Sequence, residues 1–156
     1  MACIEPLISH PDFTEGEYWQ RIIVERDTKI IEQGQAGQHF YFLEQGQLRV
    51  LGRVELEQDK NVNPGVYDVE PGQIVGELIL FDDQPRSATV KAVERSVLLQ
   101  FDGVKTMQFL EHHPEVGFGF MRELMKVMVG RLRSTNQKVF SLLAWGLKVH
   151  GIGKEL

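Results

Sequence analysis

The sequence predicts a mainly β fold with C-terminal helices, a barrel or two-sheet jelly roll followed by a helical segment. Two observations carry this expectation. Up to about residue 101 the chain is a series of short runs rich in β-branched and aromatic residues, punctuated by Gly, Pro, Asn and Asp. Beyond Asp102 the apolar spacing becomes helical. With 156 residues, 42% of them hydrophobic and 25% charged, the chain has an ordinary globular composition and room for one core with an appended helix.

In chain order, residues 1–20, with Pro6, Pro11 and Gly16, read as an N-terminal arm with at most one short helix around Glu15–Gln20. Residues 21–101 form the β region. Strands are expected at Ile22/Val24, Lys29–Glu32, His39–Glu44, Gln47–Val54, Val66–Val69, Thr89–Ala92 and Ser96–Phe101. Glu44-Gln45-Gly46-Gln47 is a hairpin signal, and Asn61-Val62-Asn63-Pro64-Gly65 is a second turn in which Pro fixes one dihedral and Gly supplies a positive one. Residues 102–150 are helical: Asp102 caps a short helix over Val104–Glu111, and Pro114 restarts a long one that runs to about Lys148. Met125, Met128, Leu132, Thr135, Val139, Leu142, Gly146 and Val149 follow steps of three and four and make a seam, on which Phe140 and Trp145 are expected to pack. So long a helix outruns a small barrel, and a second copy of the chain is the simplest cover for its far half, which predicts a homodimer. Residues 151–156 read as a tail.

Seventeen Lys and Arg against 22 Asp and Glu give a formal net charge of −5, the wrong sign for a general nucleic-acid binder. No apolar run approaches the ~20 residues of a membrane span, and the start Met-Ala-Cys-Ile-Glu-Pro lacks the features of a signal peptide. The single cysteine, Cys3, forms no internal disulfide and fits a reducing cytoplasm. Membrane proteins, secreted disulfide scaffolds and cysteine-based zinc modules are thereby excluded.

The chemistry concentrates in residues 72–90, from Gly72 to Val90. The segment reads as a turn, a short helical piece starting at Gly76-Glu77, a loop, and an arginine just ahead of a strand. A glycine at a helix start exposes backbone N–H groups that suit an anion. Arg86 beside it offers a bidentate clamp for a phosphate, and Ser87 adds a hydroxyl donor. Glu77 suits a sugar hydroxyl, as acceptor. One acceptor and one cationic fork fit a ligand carrying both a ribose and a phosphodiester.

At these residues the chain resembles the cyclic-nucleotide-binding domain family. Gly76-Glu77-Leu78 followed by Pro85-Arg86-Ser87-Ala88-Thr89 has the spacing of the phosphate-binding cassette of the regulatory subunit of cyclic-AMP-dependent protein kinase. Gly34, Gly37, Gly46 and Gly72 fall where that family's β-roll turns, with Phe40-Tyr41-Phe42-Leu43 as its central strand. The resemblance covers about residues 21–140 and implies a double-stranded β-helix, the jelly-roll β-roll of the cyclic-nucleotide-binding type. It implies Glu77 on the ribose 2′-hydroxyl, Arg86 on the cyclic phosphate, and Gly76, Leu78, Ser87 and Ala88 completing the cradle. Val75 replaces the usual aromatic before Gly76, and Ser87 replaces the kinase subunit's alanine. Arg131-Leu132-Arg133-Ser134-Thr135-Asn136-Gln137-Lys138-Val139 is similar to the dimer helix of the bacterial catabolite activator protein. There, residues at the Thr135 and Asn136 positions meet the adenine amine, the second from the partner subunit. The winged helix-turn-helix that follows in the activator has no counterpart here, so no DNA-binding domain is expected.

These readings make the chain a stand-alone cyclic nucleotide sensor with no catalytic residues, in which ligand draws the Gly76–Arg86 loop inward and reorients the helix. An effector protein that the sequence does not identify would receive the signal. Cyclic AMP is the expected ligand, with cyclic GMP the alternative that Ser87 and the two-sided amide of Asn136 leave open. Arg86 paired with Asp82 or Asp83 as a surface residue, and a dimerisation module that keeps the fold without the ligand, are the competing readings. A cupin metalloenzyme is disfavoured because only His39, of His10, His39, His112, His113 and His150, lies in the β region, and no metal is expected. Adjacent His112 and His113 read as solvated helix residues.

Overall fold

Gly46 sits at a crowded crossing between the two sheets. In the computed structural model, which describes residues 3–52, 54–56, 60–62 and 65–149, it has φ +93° and lies so close to Ser96 that a Cβ would stand 2.8 Å from the Ser96 Cα. The turn does not close a hairpin, as its sequence suggests. It carries the chain from one sheet to the other, because β3 (His39–Gln45) and β4 (Leu48–Leu51) belong to different sheets.

Both sheets are four-stranded and antiparallel, the arrangement expected of a jelly roll. One has the order β1 (Trp19–Val24), β10 (Ser96–Asp102), β3, β8 (Ile74–Val75); the other runs β2 (Lys29–Ile31), β9 (Thr89–Ala92), β4, β7 (Gly65–Val69). Between β4 and β7 the chain forms a further hairpin, β5 (Val54–Leu56) with β6 (Lys60–Val62). A single strand over Gln47–Val54 is therefore not observed, and β8, only two residues long, is an addition to the expected set. Arg53, Asn63-Pro64 of the second turn, His150 and the tail at 151–156 lie outside the described residues.

Two successive residues are buried in each of β10 (Leu98, Leu99) and β3 (Phe42, Leu43), which pair in regular register beyond an irregularity at Val97/Leu98 and face opposite sides of the sheet. Leu43 and Leu98 join Ile31, Leu48, Val50, Val69, Val75 and Val90 in one apolar cluster. Phe40 and Phe101 face the other side of the sheet, where their rings stack at 4.8 Å. β3 and β10 are thus buried on both faces, while the edge strand β1 has no fully buried residue.

The N-terminal segment is part of this body and not an arm. Its helix is α1 (Glu5–Ile8) and no helix forms at Glu15–Gln20, where Glu15 instead bridges to Trp19. Ile4, Leu7 and Phe13 are buried, and the Phe13 ring stacks on Tyr18 at 4.8 Å and meets Phe109 edge-on at 4.9 Å. Asp102 caps α2 (Gly103–His112) as expected, accepting from the Lys105 N–H at 3.0 Å. α3 runs from Pro114 to Val149.

The chain divides into two compact units, Met1–Phe120 and Met121–Leu156. In the second, Leu132, Val139 and Leu142 of the expected seam are exposed. At 3.6 residues per turn, Phe140 and Trp145 sit about 100° to either side of Val139 and Gly146, so they flank the seam and do not lie on it. No helix among the described residues is long and apolar enough to cross a membrane.

Candidate functional site

Residues 72–90 leave the first sheet after β8 and enter the second at β9, so the loop between them crosses from one sheet to the other. Gly76 makes the turn with φ +75° in the left-handed region and stands just ahead of a 3-10 turn, Glu77–Leu80. The loop then closes on itself: the Gln84 N–H donates to Asp82 Oδ1 at 3.2 Å, placing Pro85 after a side-chain-stabilised turn.

Arg86 is tied down at both backbone and side chain. Its N–H donates to the Gln35 carbonyl at 2.9 Å, and its own carbonyl accepts from the Gly34 N–H at 2.8 Å. Thr89 Oγ1 accepts from the Gln33 N–H at 3.1 Å and extends the same strap. The guanidinium donates through Nη1 to the Gly76 carbonyl at 3.0 Å and through Nη2 to the His39 carbonyl. Two of its five N–H positions are spent on main chain, which orients the planar fork. Neither Asp82 nor Asp83 is among its partners, so the surface-pair reading of Arg86 does not hold.

Two glycines make room for that fork. A Cβ at Gly37 would lie 2.5 Å from Arg86 Nη2 and 2.6 Å from Nε, and one at Gly76 would lie 2.9 Å from Nη1 and 2.8 Å from Ile31 Cδ1. Gly37 thus serves the arginine directly, which its sequence context as a turn glycine does not reveal.

The electrostatics are those of a half-buried cation beside an acidic partner. Burial pushes the Arg86 pKa below the ordinary arginine value, while Tyr41 and Glu77 pull it back up; an arginine so placed stays charged at neutral pH. Burial likewise raises the Tyr41 phenol above its usual range, and Arg86 opposes the shift. Tyr41, read from sequence only as a central-strand residue, is therefore part of this environment. Glu77 is only 4% exposed. A carboxylate taken out of water is disfavoured unless charges or donors face it, and the Arg86 field supplies one such compensation.

The structure brings Gly76, Glu77 and Arg86 together within the first unit. Leu78 is 45% exposed, Ser87 is exposed, and Ala88 packs against the inter-sheet core. Thr135 and Asn136 lie on α3 in the second unit, both exposed, about 100° apart around the helix.

The chain is a two-sheet antiparallel β-roll in which one glycine-supported loop carries both a buried carboxylate and an oriented arginine. Residues 21–113, more than half of the chain and including all of residues 72–90, match the cyclic nucleotide-binding domain family, and the chain belongs to that family. The cyclic-AMP-dependent protein kinase regulatory subunit of Emericella nidulans is 31% identical over 117 residues, covering 67% of this chain and 27% of that protein. The chain thus spans about a quarter of that relative's length. Among solved structures, a cyclic nucleotide-binding domain from Methylobacillus flagellatus superposes with a TM-score of 0.71 at 22% identity, over 80% of this chain and 67% of the other. The catabolite activator protein of Thermus thermophilus gives a TM-score of 0.64 at 26% identity, over 80% and 55% of the two chains. Thr135 and Asn136 fall outside the matched segment.

Proposed function

We propose that the chain is a cyclic nucleotide sensor whose ligand is cyclic AMP. Arg86 contacts the cyclic phosphate, Glu77 accepts from the ribose 2′-hydroxyl, and the main chain of Gly76 and Leu78 with Ser87 and Ala88 lines the phosphate. Thr135 and Asn136 read the base, the second from a symmetric copy docked along the α3 seam. Binding draws the Gly76–Arg86 loop inward and biases α3 between two positions, and an effector protein reads the helix. The role is regulatory and not catalytic.

The observation that carries this reading is the Arg86 guanidinium, held between two carbonyls over two glycines and beside the buried Glu77. Such a fork is oriented before ligand arrives, so little ordering is left to do on binding. The test is calorimetric titration of nucleotide-stripped protein with cyclic AMP and then cyclic GMP. Saturable binding near one cyclic AMP per chain, tighter than cyclic GMP, is the expected result. A folded protein that gives neither heat nor thermal shift with either nucleotide refutes it and leaves the dimerisation module as the better reading.

A further inference from the structure

His113 was expected to be a solvated helix residue, but the structure gives it a different setting. Its ring stacks on Phe109 at 4.1 Å and meets the His10 ring at 4.6 Å. Its Nδ1 lies 3.0 Å from the Phe109 carbonyl. A carbonyl only accepts, so Nδ1 carries the proton and the Nε2 lone pair is left as a ligand. Such a bond from the remote ring nitrogen is the one that orients metal-binding imidazoles. His10 Nδ1 accepts from the Asp12 N–H at 3.3 Å, which puts the His10 proton on Nε2; a metal at Nδ1, 3.9 Å from Asp12 Oδ2, would take that lone pair by displacing this long hydrogen bond. One donor atom each from His10, Asp12 and His113 lies within 4.8 Å of the other two. Donors on one tetrahedral zinc ion, each about 2.1 Å from it, stand about 3.4 Å apart. The three donors must therefore draw together on binding, and the Asp12 carboxylate, 73% exposed at its side chain, is the least confined of them.

We infer that His10, Asp12 and His113 form a binding site for a divalent ion of the zinc type, with water as the fourth ligand. Two imidazoles and one carboxylate favour zinc or its borderline neighbours over calcium or magnesium, which take oxygen. The ion would clip the segment that follows α1 onto the C-terminal end of α2. All three residues belong to the first unit, and none belongs to the phosphate-binding loop.

The experiment is titration of chelator-treated full-length protein with zinc chloride by calorimetry, and with cobalt(II) by its visible d–d bands. Expected is one ion per chain, a tetrahedral cobalt spectrum, and a rise in Tm of several degrees that a chelator reverses. His113→Phe, which keeps a ring on Phe109, and the exposed Asp12→Asn each weaken binding by at least about 10-fold. His112→Ala, next door and outside the cluster, leaves it unchanged. No binding, or binding that His113→Phe and Asp12→Asn leave unaltered in folded protein, overturns the assignment.

Discussion

Gly37→Ala separates the function of the arginine cradle from the stability of the roll. The backbone at Gly37 has no positive φ, so alanine is conformationally admissible there. Its Cβ, however, arrives 2.5 to 2.9 Å from three guanidinium atoms of Arg86, well inside the ~3.5 Å of a relaxed contact. What it meets is the far end of a flexible side chain, so the fork moves by about 1 Å and the fold loses well under the ~1–3 kcal/mol of a rigid core overpacking. The displaced fork no longer presents the same N–H groups to a phosphate. Loss of one hydrogen bond to a charged group is worth about 1.5–3 kcal/mol, or roughly 10- to 150-fold in affinity. Calorimetry with cyclic AMP, alongside thermal melting of both proteins, reads the two quantities separately. A Gly37→Ala protein with wild-type melting and wild-type affinity refutes the claim that the fork's position matters.

Other substitutions probe the same framework. Gly76→Ala introduces a side chain at φ +75° against Ile31 Cδ1 at 2.8 Å, so it should destabilise by about 1–3 kcal/mol as well as weaken ligand, seen as a lower Tm without nucleotide. Glu77→Gln should weaken cyclic AMP about 10-fold or more yet leave 2′-deoxy cyclic AMP unaffected, since only the 2′-hydroxyl uses the carboxylate; equal losses with both ligands would remove that role. Phe13→Ala should cost about 3–5 kcal/mol, measured by denaturant unfolding, because its ring is 2% exposed among Tyr18, Phe101 and Phe109. A dispensable arm would tolerate the change.

The legible parts of the sequence were those where local chemistry and tertiary need agree. Asp102 is a cap and Pro114 a first-turn residue in any context, and both helices start where these residues put them. Gly76, Glu77 and Arg86 stand out in the sequence because their types and spacing are unusual for a plain turn, and the fold brings the three together. The Gly46 turn misled, since two apolar runs across a glycine suggest a hairpin whether the strands pair or part to different sheets. Burial of Ile4, Leu7 and Phe13 was hidden by Pro6, Pro11 and Gly16, which read as loop while the surrounding core does the ordering. β5 and β6 carry Glu55, Lys60 and Asn61, which have low strand propensity and pair nonetheless. Gly37 could not be distinguished from any other turn glycine, because its constraint is a side chain 49 residues away rather than its own φ.

The central claim is that Arg86 is the cation that holds a cyclic phosphate, and cyclic AMP titration of Arg86→Ala and Arg86→Lys against the parent protein tests it most directly. Truncating one member of a buried hydrogen-bonded charge pair costs about 2–5 kcal/mol, on the order of 30- to several-thousand-fold in affinity. Lysine, which keeps the charge and loses the fork, should fall between the two. Folded Arg86→Ala protein that binds cyclic AMP as tightly as the parent would contradict the account.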